Sequence, residues 1–226
     1  RISWCKYKYN FAGEKEQHMK KNVKNEAIMA DGLEIFPVTA ERWGDFEKLF
    51  GPRGACGGCW CMAWRRGRSE FEKNKGDGNR RAMKRIIGKN EIPGILGYLQ
   101  GEPVGWCSVC PRETFPVLGR SRVLAPVDEK PVWSVTCLFI DRRFRGKGVS
   151  VAMLKAAREH VGRMGGRIVE GYPVEPRKGE MPAAFAWTGT ARAFVRAGYE
   201  EVARRSRTRP IMRAVAGAKA KRRRKA

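Results

Sequence analysis

Arg143, Arg145 and Lys147 alternate with Gly146 and Gly148 in the stretch Asp141-Arg142-Arg143-Phe144-Arg145-Gly146-Lys147-Gly148-Val149-Ser150. Cationic side chains spaced along a glycine turn are suited to holding an anion. Glycine lets the backbone turn sharply and lets a ligand approach its amides. The flanking residues predict how the turn is positioned. Trp133 to Ile140 is β-branched, aromatic and apolar, which predicts a strand. From Val149 the apolar residues take helical spacing, through Met153, Ala156, Ala157 and Val161, and Gly165-Gly166 follows as a stop. A strand that feeds a glycine turn into a helix start presents unpaired N–H groups and the positive end of the helix dipole. The expected ligand carries phosphate, held by Arg143, Arg145, Gly146, Lys147, Gly148, Val149 and Ser150.

Three kinds of phosphate loop compete for this reading. A P-loop needs Ser or Thr after its Gly-Lys pair, but Lys147 is followed by Gly148. A dinucleotide loop needs a third small residue where Val151 stands. The segment resembles motif A of the GNAT superfamily, the acyl-CoA-dependent N-acetyltransferases. That motif runs Arg or Gln, two residues, Gly, one residue, Gly or Ala. Arg145, Gly148 and Ser150 fit it with a departure at Ser150, and Arg143, Gly146 and Gly148 fit it in a second register. The Arg145 register is preferred because it puts Phe144 just before the arginine and Leu138 to Ile140 at the strand end. Thr190 to Val202 is similar to motif B of the same superfamily, a short helix ending at Gly198 with Tyr199 opening a strand.

The resemblance implies an α/β (α+β) fold: a mixed, mostly antiparallel central sheet with flanking helices. It implies acetyl-CoA as co-substrate, no metal, and direct transfer of acetyl to a primary amine of an unidentified acceptor, small molecule or protein. Main-chain groups of Leu138, Phe139 and Ile140 would hold the pantetheine arm where this strand and the next splay apart. The chain also departs from the family. The helical tyrosine that often serves as acid falls at Phe194, and the Asn that often opens that helix is missing. Glu170 and Tyr172 lie two residues apart, so on a strand they share a face near the expected splay. They are the candidates for base and acid. A non-catalytic acyl-CoA-binding protein, tethered to nucleic acid by its basic tail, is the alternative.

The expected acceptor wall is Trp60 and Trp64, four residues apart in Cys59-Trp60-Cys61-Met62-Ala63-Trp64 and read as one face of a short helix. The chain has seven cysteines. Cys56, Cys59 and Cys61, with the pair Cys107 and Cys110, approach the count of a zinc site. The second pair, however, sits in a predicted strand where its side chains point to opposite faces. Buried free thiols in a reducing cytoplasm are the expectation.

Net charge is +24, far more than one acyl-CoA requires. Part of it is the run Lys219 to Lys225, which reads as a tail able to hold anionic polymers non-specifically. No apolar run is long enough to span a membrane. The expected organisation is a basic, loosely ordered extension over 1–30, one domain over 31–214, and a basic tail over 215–226. Within the domain the pattern predicts a strand over Leu33 to Val38 and a helix from Thr39 to Phe50. A helix over Arg80 to Ile87 follows, then a hairpin over Gly94 to Val109. After the glycine loop come a strand over Arg167 to Glu170 and two late strands.

Overall fold

The computed structural model describes residues 27–176 and 185–217. Strand β1 (Ile28–Ala30) turns through Asp31 and Gly32, both at positive φ, into antiparallel β2 (Leu33–Pro37). Ile28 is fully buried in the core, so ordered structure begins inside the stretch expected to be loose. Residues 1–26 of that stretch and 218–226 of the basic tail lie outside the described residues.

Helix α1 (Trp43–Phe50) buries Trp43, Phe46, Leu49 and Phe50 on one side. The short Trp-bearing helix expected next does not form. Trp60 and Cys61 both take positive φ (34° and 51°), and the chain doubles back until the Trp60 indole lies against Gly54. A Cβ at Gly54 would sit 2.1 Å from Trp60 Nε1. Helices α2 (Arg68–Lys73) and α3 (Asp77–Gly88) follow. The hairpin β3 (Gly94–Leu99) and β4 (Glu102–Pro111) turns at Gln100-Gly101. After the short α4 (Pro116–Gly119) come β5 (Trp133–Ile140), α5 (Val149–Arg163) and β6 (Ile168–Gly171). Helix α6 (Ala191–Arg196), β7 (Glu200–Arg204) and β8 (Pro210–Val215) complete the order.

The eight strands form one sheet in the order β1-β2-β3-β4-β5-β6-β8-β7. Every pair is antiparallel except β5 with β6. Helix α5 covers one face. Its Val151, Ala152, Met153, Ala156 and Val161 pack on Val109, Val135 and Leu138. The opposite face carries an aromatic cluster of Trp43, Phe46, Phe50, Trp60 and Trp106, with α1 and α3 above it. No helix among the described residues is long and apolar enough to cross a membrane.

Candidate functional site

One extra residue shapes the centre of the sheet. Along β4 and β5, Ser108 faces Cys137 while the next residue, Val109, faces Val135. Thr136 is therefore left over as a β-bulge, which bends its strand and increases its twist. Parallel pairing of β5 with β6 stops at the same level, after Val135 and Gly171. Beyond it the free edge of β5 meets a different segment: Leu138 N–H donates to the carbonyl of Trp187 at 2.7 Å.

The glycine loop leaves the end of this strand. The Asp141 carboxylate caps the following turn by accepting from the Arg143 backbone N–H at 2.9 Å. It also binds the Arg143 guanidinium, which reaches Glu102 as well. That pairing holds Asp141 below the usual carboxylate range. Two carboxylates thus occupy Arg143. Arg145 donates from Nε to the Ile140 carbonyl at 3.0 Å, and Lys147 lies over the Phe144 ring. Gly146 and Gly148 have φ of +75° and +85°, a left-handed conformation that favours glycine, and a Cβ on either would meet nothing within 4 Å. Gly148 is the N-cap of α5; its carbonyl accepts from the Val151 N–H at 2.9 Å, and the N–H groups of Val149 and Ser150 have no carbonyl before them in the helix. Val149 is buried beneath the loop, in the core. The loop is an open cradle with left-handed glycines, one helix start and two cations, Arg145 and Lys147, that no carboxylate among the described residues holds in an ion pair.

A cavity of about 300 Å³ adjoins β5 on the face opposite α5. Thr136, Cys137 and Phe139 contribute from the strand, and Trp64, Phe71 and Trp187 supply further aromatic wall. The Trp64 and Trp187 rings sit 5.8 Å apart. Cys56, Cys59 and Cys61 add sulfur. Trp106 Nε1 donates to Cys61 Sγ at 2.7 Å, and burial pushes the Cys61 thiol well up. Cys59 is raised as well, first by its hydrogen bond with Cys61 and then by burial. Cys59 and Cys61 therefore stay protonated at neutral pH. Of the expected acceptor-wall pair, Trp64 lines the cavity. Trp60 does not, being stacked on Trp43 and Phe50 in the aromatic core.

Glu170 and Tyr172 do come together. Tyr172 donates to Glu170 Oε1 at 2.6 Å, and both side chains are fully buried. Glu170 is also bound by Arg112 Nη1 at 3.1 Å and Arg213 Nε at 2.7 Å. With its proton directed to Glu170, the Tyr172 oxygen accepts from Ser134 at 2.8 Å and from Arg112. Burial, then the Glu170 charge, raises the Tyr172 phenol. Neither residue is among those lining the cavity. Phe194 fills the space beside the splay: a Cβ on Gly171 would lie 2.1 Å from its ring and one on Gly189 2.8 Å.

Several residues here had no mark in the sequence. Arg112 and Arg213 are two among many arginines, and nothing local tells which reach a buried carboxylate. Trp187 sits in a loop whose return to β5 depends on tertiary packing. Thr136 becomes a bulge only because of its pairing with β4, which a single strand does not encode.

A protein-family model described as the acetyltransferase (GNAT) family matches residues 60–176. Among solved structures, the chain is similar to a GNAT-family acetyltransferase from Streptococcus agalactiae 2603. Identity is 13%, covering 83% of this chain and 98% of that one, with a TM-score of 0.51. A GNAT-family acetyltransferase from Listeria monocytogenes 4b F2365 matches at 12% identity, covering 84% and 99%, with a TM-score of 0.52. At such identities the likeness is one of fold. No curated protein matches.

Proposed function

The chain belongs to the GNAT acetyltransferase family, and on that premise we propose that it transfers acetyl from acetyl-CoA to a primary amine by direct attack. One observation carries the reading. The bulge at Thr136, the end of the β5–β6 pairing, the glycine cradle and the cavity all lie along a single strand and its exit.

The residues present fit the ligand. Gly146 and Gly148 leave open space for an anionic group, and the α5 start with Arg145 and Lys147 supplies its charge complement. We assign Ser150 and Val149 to the same cradle through their backbone N–H groups. Arg143 acts at one remove, by fixing Asp141 and thereby the turn. Leu138, Phe139 and Ile140 would line the arm of the ligand, and the Leu138 amide becomes available only when the Trp187 carbonyl yields it. Bound acetyl-CoA supplies an activated thioester.

The chain's part is to orient the amine, exclude water and take up a proton. Glu170 and Tyr172 are the carboxylate and phenol pair on β6 and its exit. Two arginines and Ser134 hold them, so a proton leaving the amine would reach them only through further groups. We assign residues 31–214 to the catalytic domain. The six described cysteines are free thiols, which supports a reducing, cytoplasmic setting.

Calorimetric titration with acetyl-CoA tests the reading, beside Gly148→Glu, which puts a carboxylate into the cradle. Micromolar binding, lost in the variant, is expected, together with amine-dependent thiol release. Binding with no thiol release from any amine would favour a non-catalytic acyl-CoA-binding protein. Absence of binding would overturn the assignment.

A further inference from the structure

The lining of the cavity is one-sided in its chemistry. Aromatic rings and thiols make up most of it, and among the described residues no carboxylate lines it. Lys75, the one charged lining residue among those described, is ion-paired with Glu72. A polycation would have to shed its water here with no counter-charge to meet it. A flat apolar group would replace poorly held water with ring and sulfur contacts.

One polar atom in the wall has a fixed sense. Thr136 Oγ1 donates to Ser108 Oγ at 3.2 Å, and Ser108 Oγ donates onward to the Pro93 carbonyl at 3.5 Å. Both hydroxyls are buried. With both protons directed away along this chain, the Thr136 oxygen has only lone pairs left to offer a partner. It is a hydrogen-bond acceptor set among apolar groups, at the bulge where β5 leaves β6.

We propose that the acceptor is a small monoamine with a flat apolar body, its nitrogen donating to Thr136 Oγ1. This rests on the reading of the chain as an amine acetyltransferase. Thr136 is a positioning and specificity residue in this scheme: it holds the nitrogen and so favours bodies that carry an N–H at that point.

The probe is 2-phenylethylamine, followed by tryptophan fluorescence of the full chain, with spermidine and ethylbenzene as comparisons. Acetyl-CoA is titrated in parallel on the same samples. Wild-type protein should bind 2-phenylethylamine well above spermidine. Thr136→Val keeps the shape and removes the lone pairs. It should weaken the amine roughly five- to tenfold, the worth of one hydrogen bond, and leave ethylbenzene unchanged. Trp64→Ala should weaken both. Spermidine preferred over 2-phenylethylamine would overturn the inference, as would equal amine affinity in Thr136→Val. Amine binding as expected with no acetyl-CoA binding would sink the transferase reading while leaving the chemistry of the cavity as described.

Discussion

His160 gives the sharpest test of how α5 is held. The residue lies near the end of the helix that starts at the glycine cradle, and its side chain is fully buried. Neither ring nitrogen has a hydrogen-bond partner among the described residues. The imidazole meets the Trp133 ring edge-on at 6.3 Å. Burial, with a smaller contribution from the Arg163 charge, pushes its pKa down from 6.5 to about 4. An unfolded chain titrates this group near the ordinary value. Between about 6.5 and 4, then, the unfolded state binds more protons than the folded one, and lowering the pH favours unfolding. The neutral histidine's contribution is fully present above 6.5 and is lost as pH falls toward 4. At about 1.4 kcal/mol per pH unit of displacement, the loss is about 3 kcal/mol. That is a large part of the stability of an ordinary domain.

The assay is urea unfolding, read by tryptophan fluorescence at steps from pH 7.5 to 4, on wild type and His160→Leu. Asp128, Asp141 and Glu201, whose pKa values are lowered by arginine partners, titrate in both proteins and cancel in the difference. Wild type should lose about 3 kcal/mol more than the variant across that window. Parallel curves for the two proteins would refute the burial argument.

Two further outcomes follow from the packing. Glu170→Gln leaves Arg112 and Arg213 facing a neutral amide inside the fold, and should cost about 3 kcal/mol in urea unfolding; an unchanged midpoint would mean that the buried pairs contribute nothing. Gly171→Ala forces a methyl to within 2.1 Å of the Phe194 ring. It should destabilise by about 1–3 kcal/mol, with part recovered in the double variant Gly171→Ala/Phe194→Leu, and a neutral Gly171→Ala would show that the ring has room to move.

The parts legible in the sequence were those encoded locally. The strand from Trp133, the glycine turn and the helix from Val149 all appear at the expected places, because apolar period and glycine placement act within a few residues. The order of the later strands follows for the same reason. The expected helix at Trp60 failed because spacing of four is a necessary mark of a shared helical face, not a sufficient one. The backbone there is set by glycines at 54, 57 and 58, all at positive φ, and by the fit of an indole against Gly54. Burial of Glu170 was equally hidden, since its partners come from β8 and from the segment after β4. Only the assembled sheet brings two arginines to one carboxylate.

The single insertion at Thr136 ties these levels together. Side chains alternate faces along a strand, so an extra residue changes which positions point to which side. Before the bulge, Trp133 and Val135 face α5; after it, Leu138 does, while Cys137 and Phe139 turn to the cavity. Were Thr136 instead paired in regular alternation, Cys137 and Phe139 would share the α5 face with Val135, and Leu138 would point at the aromatic cluster. The end of β5–β6 pairing at this level leaves the Leu138 N–H for Trp187 rather than for a β6 carbonyl. The bulge thus puts Thr136 and Cys137, neighbours in the chain, both on the cavity side, and it places beside the free edge of the strand a hydroxyl whose proton is directed into the Ser108 chain. Deleting Thr136 would restore regular pairing while Cys137 and Phe139 kept their face, whereas Thr136→Val would keep the bulge and remove only the hydroxyl.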